Sequence, residues 1–305
     1  MTNNKSHIKH HYVPQCYLKH FGRQKNNSKK GNEYFLYAYD LKRKRSMINS
    51  VEDVCYIRFF YSISDKSIID PCRVNRLSIE TDLLANEIEY KLDILLSGLK
   101  ERLEYYSISK LDKFPFQGAE RLLLAKQIVI QYLRMPRLRK LIVELYKRDY
   151  TKLIEIYQLL KAQINPVADV KFNISYDEAL IHAEGLFLNE ELIDNLAEKL
   201  ISYNWVFCYS QTMDICTSDN PIVICSHKTG YPKEIWDDDI IIYFPLDPCI
   251  LLCMTDMSDD KTHDCDIGEI SVFAYESFHR LLSLQSEKIF NFNNKFDFIK
   301  NCINE

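Results

Sequence analysis

An α+β fold is expected, with short strands at both ends of the chain and helices between them. Three observations lead there. Residues 34–61 fall into aromatic-rich runs separated by turn residues. Residues 77–200 place apolar side chains at three- and four-residue steps, and residues 204–254 return to short apolar runs. Strands and helices grouped in blocks argue against a doubly wound sheet, where they alternate. The 305 residues contain no linker, repeat or low-complexity block, so one unit in three segments is expected: 1–72, 73–200 and 201–305.

The elements follow in order. Tyr17, Leu18 and Phe21 share a face at helical spacing, with Pro14 at the first turn. Residues 34–40 and 46–49 read as a hairpin around the basic tip Lys42–Arg45, followed by a helical turn and a strand running to Phe59-Phe60-Tyr61. Asp70-Pro71 breaks the chain. Ile79, Leu83, Leu84, Ile88, Leu92, Leu95, Leu96, Leu99 and Leu103 then define a long amphipathic helix. Further helices are expected at 117–133, at 137–162 after Pro136, and at 177–200. Strands at 204–209, 214–217, 222–225, 240–244 and 249–254, mostly antiparallel, precede a closing helix at 277–289.

Composition excludes several function classes. The formal net charge is -4, and only 7 glycines occur, all isolated. Dinucleotide fingerprints and phosphate loops need clustered glycines to bring backbone close to phosphate, so neither can be written here. No GxSxG elbow and no HExxH helix is present. The first ten residues are polar, unlike a secretory signal. No apolar run approaches the ~18 residues that span a bilayer, so no membrane association is expected. The 10 cysteines are scattered among apolar neighbours, which suits reduced thiols in a cytoplasmic protein. Charge is uneven: residues 1–50 carry a balance of +9 and the remainder -13. That basic stretch is expected either to dock on nucleic-acid phosphates, to fold back on the acidic body, or to be solvated.

Three constellations carry chemistry. The first twenty residues hold four histidines, three of them at His10, His11 and His20. Histidine exchanges protons or ligates metal near neutral pH, although a capping segment with incidental histidines explains the stretch as well. Thr217-Ser-Asp-Asn-Pro221 lies between apolar runs, where Asp219 and Asn220 either build a tight turn or serve as ligands at a strand end. Gln127, Gln131 and Arg134 line one helical stripe suited to an anionic group, unless Arg134 pairs with Glu80 and Glu87 on the preceding helix. A deaminase-like His182-Ala-Glu184 with Cys249 and Cys253 has the wrong cysteine spacing. The acidic run around Asp256–Asp266 lacks the glycine and glutamate of a calcium loop.

His11-Tyr-Val-Pro-Gln-Cys-Tyr-Leu-Lys-His-Phe21 resembles the opening signature of the bacterial domain of unknown function family 4238. Leu77-Ser-Ile-Glu80 with Glu87, Gln131-Tyr-Leu-Arg-Met-Pro136, Thr217–Pro221 and Phe244-Pro-Leu-Asp-Pro248 resemble its later elements, so the likeness runs along nearly the whole chain. The basic stretch Lys25–Lys30 and the cysteines fall outside that pattern. The resemblance implies that His11, Glu80, Gln131, Arg134, Asp219 and Asn220 act together. That inventory suits metal-assisted phosphodiester cleavage of nucleic acid. His11, Glu80 and Asp219 would hold magnesium or manganese, with His11 or Asp219 activating water. Arg134, Asn220, Gln131 and Gln127 would steady the phosphate. A sensor or adaptor that binds a nucleotide or other anion without turnover is the alternative.

Overall fold

The computed structural model describes residues 8–27, 31–67, 75–109, 111–164, 176–212, 214–255, 263–297 and 299–300. The order of elements is the expected one: strands, helices, then a mostly antiparallel sheet with a helix near its end.

The N-terminal segment begins with β1 (Lys9–His11), α1 (Gln15–His20) and β2 (Arg23–Asn27). Then come β3 (Gly31–Asp40), β4 (Arg45–Ser50) and β5 (Tyr56–Arg58). β1 and β5 form a two-stranded antiparallel ribbon that pairs His10 with Ile57 and His11 with Tyr56. The basic stretch is thus built largely into strands. Lys9 pairs with Asp53, and Arg23 donates to the Phe292 carbonyl at 2.9 Å. Lys42, Arg43, Lys44 and Arg45 stand exposed at the β3–β4 turn. Lys5, Lys29, Lys30 and the break at Pro71 lie outside the described residues.

The helical segment starts with a π-helical stretch, Ile79–Glu89, that runs into α2 (Tyr90–Ile108). α3 (Gly118–Leu133) and α4 (Pro136–Ile164) meet at the Arg134-Met135-Pro136 corner. A single helix over 177–200 does not form. α5 (Glu178–His182) and a π turn end at Leu188, and the Asn189 side chain caps α6 (Glu190–Ile201) by accepting from the Leu192 N–H at 3.0 Å.

The C-terminal segment holds β6 (Asn204–Tyr209), β7 (Thr217–Ser218), β8 (Val223–Ser226), β9 (Ile240–Asp247), β10 (Ile250–Thr255), β11 (Ile267–Glu269), α7 (Val272–Gln285) and β12 (Lys288–Asn291). The closing helix therefore ends earlier than its apolar spacing suggested. Ile289 and Phe290 pack as buried strand residues, and β12 pairs with both β3 and β7. One sheet runs β11-β6-β10-β9-β8; β11 is parallel to β6, and the other pairings are antiparallel. A second sheet joins β2, β3, β12 and β7, with β4 on the other edge of β3.

A single apolar core draws on all three segments, from Tyr17, Leu18 and Phe21 through Leu124, Ile128 and Val129 to Trp205, Phe207 and Phe244. A smaller cluster lies beneath α7. Burying apolar area at roughly 25 cal/mol per Å² ties the N-terminal segment to both later ones. No helix among the described residues is long and apolar enough to cross a membrane.

Candidate functional site

Two polar clasps shape the site, and most of the reactive side chains singled out above belong to them. The first holds the main chain of residues 11 and 12. The next residue, Tyr12, donates its N–H to the Cys55 carbonyl at 2.9 Å, so His11 and Tyr56 form a non-hydrogen-bonded pair and the His11 N–H and C=O point away from β5. Arg134 takes the carbonyl: one guanidinium nitrogen donates to the His11 oxygen and, at 2.9 Å, to Glu89 Oε1. The Arg134 Nε donates to the Tyr61 hydroxyl at 3.3 Å. The side chain is only 1% exposed. The Gln131 amide donates to the Tyr12 carbonyl at 3.0 Å. The Glu80 carboxylate receives the His11 N–H. Burial pushes Glu80 up to about 7, against the pull of Arg134 and that N–H, and its Oε2 has no hydrogen-bond partner among the described residues.

The His11 ring is buried with its main chain. Its Nε2 lies 3.3 Å from the Glu52 carbonyl, and Gln15 Nε2 lies 3.2 Å from Nδ1. Burial drives its pKa down to about 4, with the Glu52 carbonyl opposing, so the ring is neutral near pH 7. Gln127 is also buried.

Glu87 takes no part. The winding of Ile79–Glu89 is π rather than α, with hydrogen bonds from i to i+5. The wider turn aligns Glu80 with Glu89, nine positions on, where an α-helix aligns positions seven apart. Glu87 is exposed, and Glu89 is the ion-pair partner of Arg134.

The second clasp is Ser218-Asp219-Asn220. Asp219 Oδ1 accepts the Glu287 and Lys288 N–H groups at 3.0 and 3.2 Å. Ser218 Oγ accepts the Asn220 N–H at 3.0 Å and the Ser286 hydroxyl at 2.8 Å. Asn220 Nδ2 donates to the Gln285 carbonyl at 3.0 Å. The motif thereby fastens the end of α7 and the start of β12. Burial pushes the Asp219 carboxyl up to about 6, opposed by the Lys288 and Glu287 N–H groups.

Between the clasps lies a cleft of about 540 Å³. Tyr12 and β5 residues Tyr56 and Ile57 form one side, and the corner residues Met135, Pro136 and Arg137 form another. Asp219, Asn220 and residues 284–287 complete it. Cys55 and Phe59, which bracket β5, hold left-handed backbone at φ 54° and 58°. Such strain in non-glycine residues persists where surrounding packing enforces it.

The structure therefore divides the expected set. Asp219 and Asn220 line the cleft. His11, Glu80, Gln127, Gln131 and Arg134 do not, and the last two are spent on main-chain carbonyls rather than left for a phosphate. The His11–Glu80–Asp219 ligand set is not assembled; among the described residues no three His, Cys, Asp or Glu side chains are grouped to hold a metal ion. Asp264 and Asp266, from the acidic run, pair with Arg121 and Lys113. Asp256, Asp259 and Asp260 lie outside the described residues.

The family model described as "Protein of unknown function (DUF4238)" matches residues 9–302. The chain belongs to that family. No curated protein and no solved structure matches it. In this DUF4238 chain, three of the quoted sequence elements meet at the cleft: the His-Tyr-Val-Pro opening through Tyr12, the Arg-Met-Pro corner through Met135 and Pro136, and Ser-Asp-Asn-Pro through Asp219 and Asn220. The sequence reading missed Tyr56, Arg137 and Gln285–Glu287. Only Arg137, adjacent to the Arg-Met-Pro corner, carried a local signal.

Proposed function

We propose that the chain is a ligand-binding protein, a sensor or adaptor whose working site is the cleft between Tyr12 and Asp219. One observation carries this reading: the sequence elements converge on a cavity, while most of their ionisable groups are used to hold its walls. A site that only binds needs fixed walls and a few placed polar groups. Tyr56 and Ile57 offer an aromatic and aliphatic face, and Asp219, Asn220 and Glu287 offer acceptors. The volume suits a molecule the size of a nucleotide or a short peptide segment.

The test is calorimetry on the full chain with AMP, spermidine and Nα-acetyl-arginine amide as probes, followed by chromatography of each mixture. Saturable binding of at least one probe is expected, weakened about tenfold or more by Tyr56→Ala, with the probe recovered intact. Binding indifferent to Tyr56→Ala would place the site elsewhere.

A hydrolytic reading retains one support, the Asp219 carboxyl in the cleft with its pKa near 6. A general base works best when its pKa lies near the working pH. Magnesium-dependent release of nucleotides from DNA or RNA, lost in Asp219→Asn, would favour that reading over binding alone.

A further inference from the structure

The groups that meet in the cleft are mostly acceptors. Asp219 uses Oδ1 to hold two main-chain N–H groups, and its Oδ2 has no partner among the described residues. Glu287 is exposed and makes no ion pair among them. Asn220 is 6% exposed, and its Oδ1 is buried without a hydrogen-bond partner among the described residues.

Among the described residues that line the cleft the one cation is Arg137, which is already neutralised; Lys288, whose charge reaches Asp219, is not among the lining residues. Arg137 donates to both oxygens of Glu234 at 2.8 and 2.9 Å and lies over the Tyr132 ring at 4.9 Å. The cleft continues past Arg137, Asn220 and Gln285 into an annex of about 270 Å³ that carries Glu234, Asp237 and Lys233. Around the acceptors, the lining is aromatic and aliphatic: Tyr12, Tyr56, Ile57, Met135, Pro136 and Leu284.

Building on the ligand-binding reading, we propose that the cleft selects an organic cation, an alkylammonium or guanidinium group on an aliphatic stem. Asp219 and Glu287 supply the charge. Lys9 Nζ already lies over the Tyr56 ring at 4.8 Å, so a π contact to a ligand cation falls to the other face of Tyr56 or to Tyr12, and the apolar walls cover the stem. A hydrated inorganic ion would gain little from such walls, because magnesium favours oxygen ligands and its own water. An anion would meet two carboxylates and an unmatched carbonyl, with the nearest guanidinium already occupied.

The experiment is calorimetry at low ionic strength with four probes: spermidine, Nα-acetyl-arginine amide, AMP and magnesium chloride. The wild-type chain is compared with Asp219→Asn, Glu287→Gln and Tyr56→Ala. Asp219→Asn keeps an oxygen for the Glu287 and Lys288 N–H groups while removing the charge. Glu287→Gln alters an exposed side chain, so loss of the fold does not confound both variants. At least one organic cation is expected to bind at one site per chain. Its affinity should fall about tenfold in Asp219→Asn and about threefold in Glu287→Gln, and AMP should not displace it. Spermidine binding with acetyl-arginine amide inert assigns a free polyamine; the reverse assigns a peptide side chain. Binding of AMP alone, weakened by Tyr56→Ala, overturns the proposed charge preference and leaves the ligand-binding reading in place. Displacement of the organic cation by an equivalent of magnesium overturns it in favour of an inorganic ion. Silence across all four probes overturns both readings.

Discussion

A carboxylate beside an arginine is ordinarily held ionised, yet Glu80 goes the other way. Arg134 already has Glu89, Tyr61 and the His11 carbonyl, and burial outweighs its pull on the second acid. The folded chain therefore holds the Glu80 proton more tightly than the unfolded chain, whose glutamate titrates near 4.5. The resulting stability is full below about pH 4.5, declines as pH rises to about 7, and is flat above. Glu80→Gln should remove that share of the slope and stabilise the protein at pH 8, on the order of 1–3 kcal/mol. Thermal melts of both proteins from pH 4 to 8 would show it, and parallel curves would mean that Glu80 titrates normally. Arg134→Met is expected to be far costlier, on the order of 3–5 kcal/mol, because it leaves Glu89 beside Glu80 with no cation. A midpoint within a degree of wild type in urea-free melts would rule out the clasp. These roles were half-legible in the sequence. The residue types were visible as a set, but their partners are main-chain groups, which carry no letter. An arginine that binds a phosphate and one that binds a carbonyl of its own chain look alike until the fold places them.

At the scale of elements, the spacing of apolar residues located the helices but not their winding or their breaks. Ile79, Leu83, Leu84 and Ile88 satisfy an α period, so nothing local marks Ile79–Glu89 as π. The acidic pair distinguishes the two windings. Glu89→Gln should cost on the order of 1–3 kcal/mol by weakening the bond to Arg134, whereas Glu87→Gln should stay within about 0.5 kcal/mol. Denaturant midpoints for the two variants decide the matter, and a larger loss for Glu87→Gln would restore the α-helical alignment. The end of α7 has a similar lesson. Leu281 and Leu282 continue a helical pattern, and the spacing of Ile289 extends it, but Ser218 and Asp219 capture the Ser286 hydroxyl and the Glu287 and Lys288 N–H groups and turn the chain into β12. The signal for that turn lay some seventy residues upstream in the Ser-Asp-Asn-Pro motif, where a reading of local periodicity does not look.

At the scale of the molecule, the opening segment acts as a strut between the helices and the C-terminal sheets. Its main chain is gripped by Gln131 and Arg134, while Tyr17 reaches the other way. The Tyr17 hydroxyl donates to the Pro245 carbonyl at 2.8 Å and lies 2.7 Å from Thr217 Oγ1, and its ring stacks on Phe244 at 5.3 Å. Because the main core also draws on all three segments, helices and sheets should unfold together. Trp205 is fully buried and sits in β6, so in a Trp236→Phe background, which removes the second, exposed tryptophan, the emission shift reports on the sheet, whereas ellipticity at 222 nm is dominated by the helices. In urea the two signals should share a midpoint. Tyr17→Phe keeps the ring but leaves the Pro245 carbonyl without its donor, which should lower that midpoint by the equivalent of about 1–2 kcal/mol with both signals still coincident. If the strut carries the coupling, replacing Tyr17 with alanine should go further. Losing the ring opens a cavity against Phe21 and Phe244 at a cost of about 3–5 kcal/mol. The fluorescence and ellipticity transitions should then begin to separate. Separate transitions in the wild-type chain would instead mean that the helices and sheets are independent units, and that the cleft between them is not held at a fixed width.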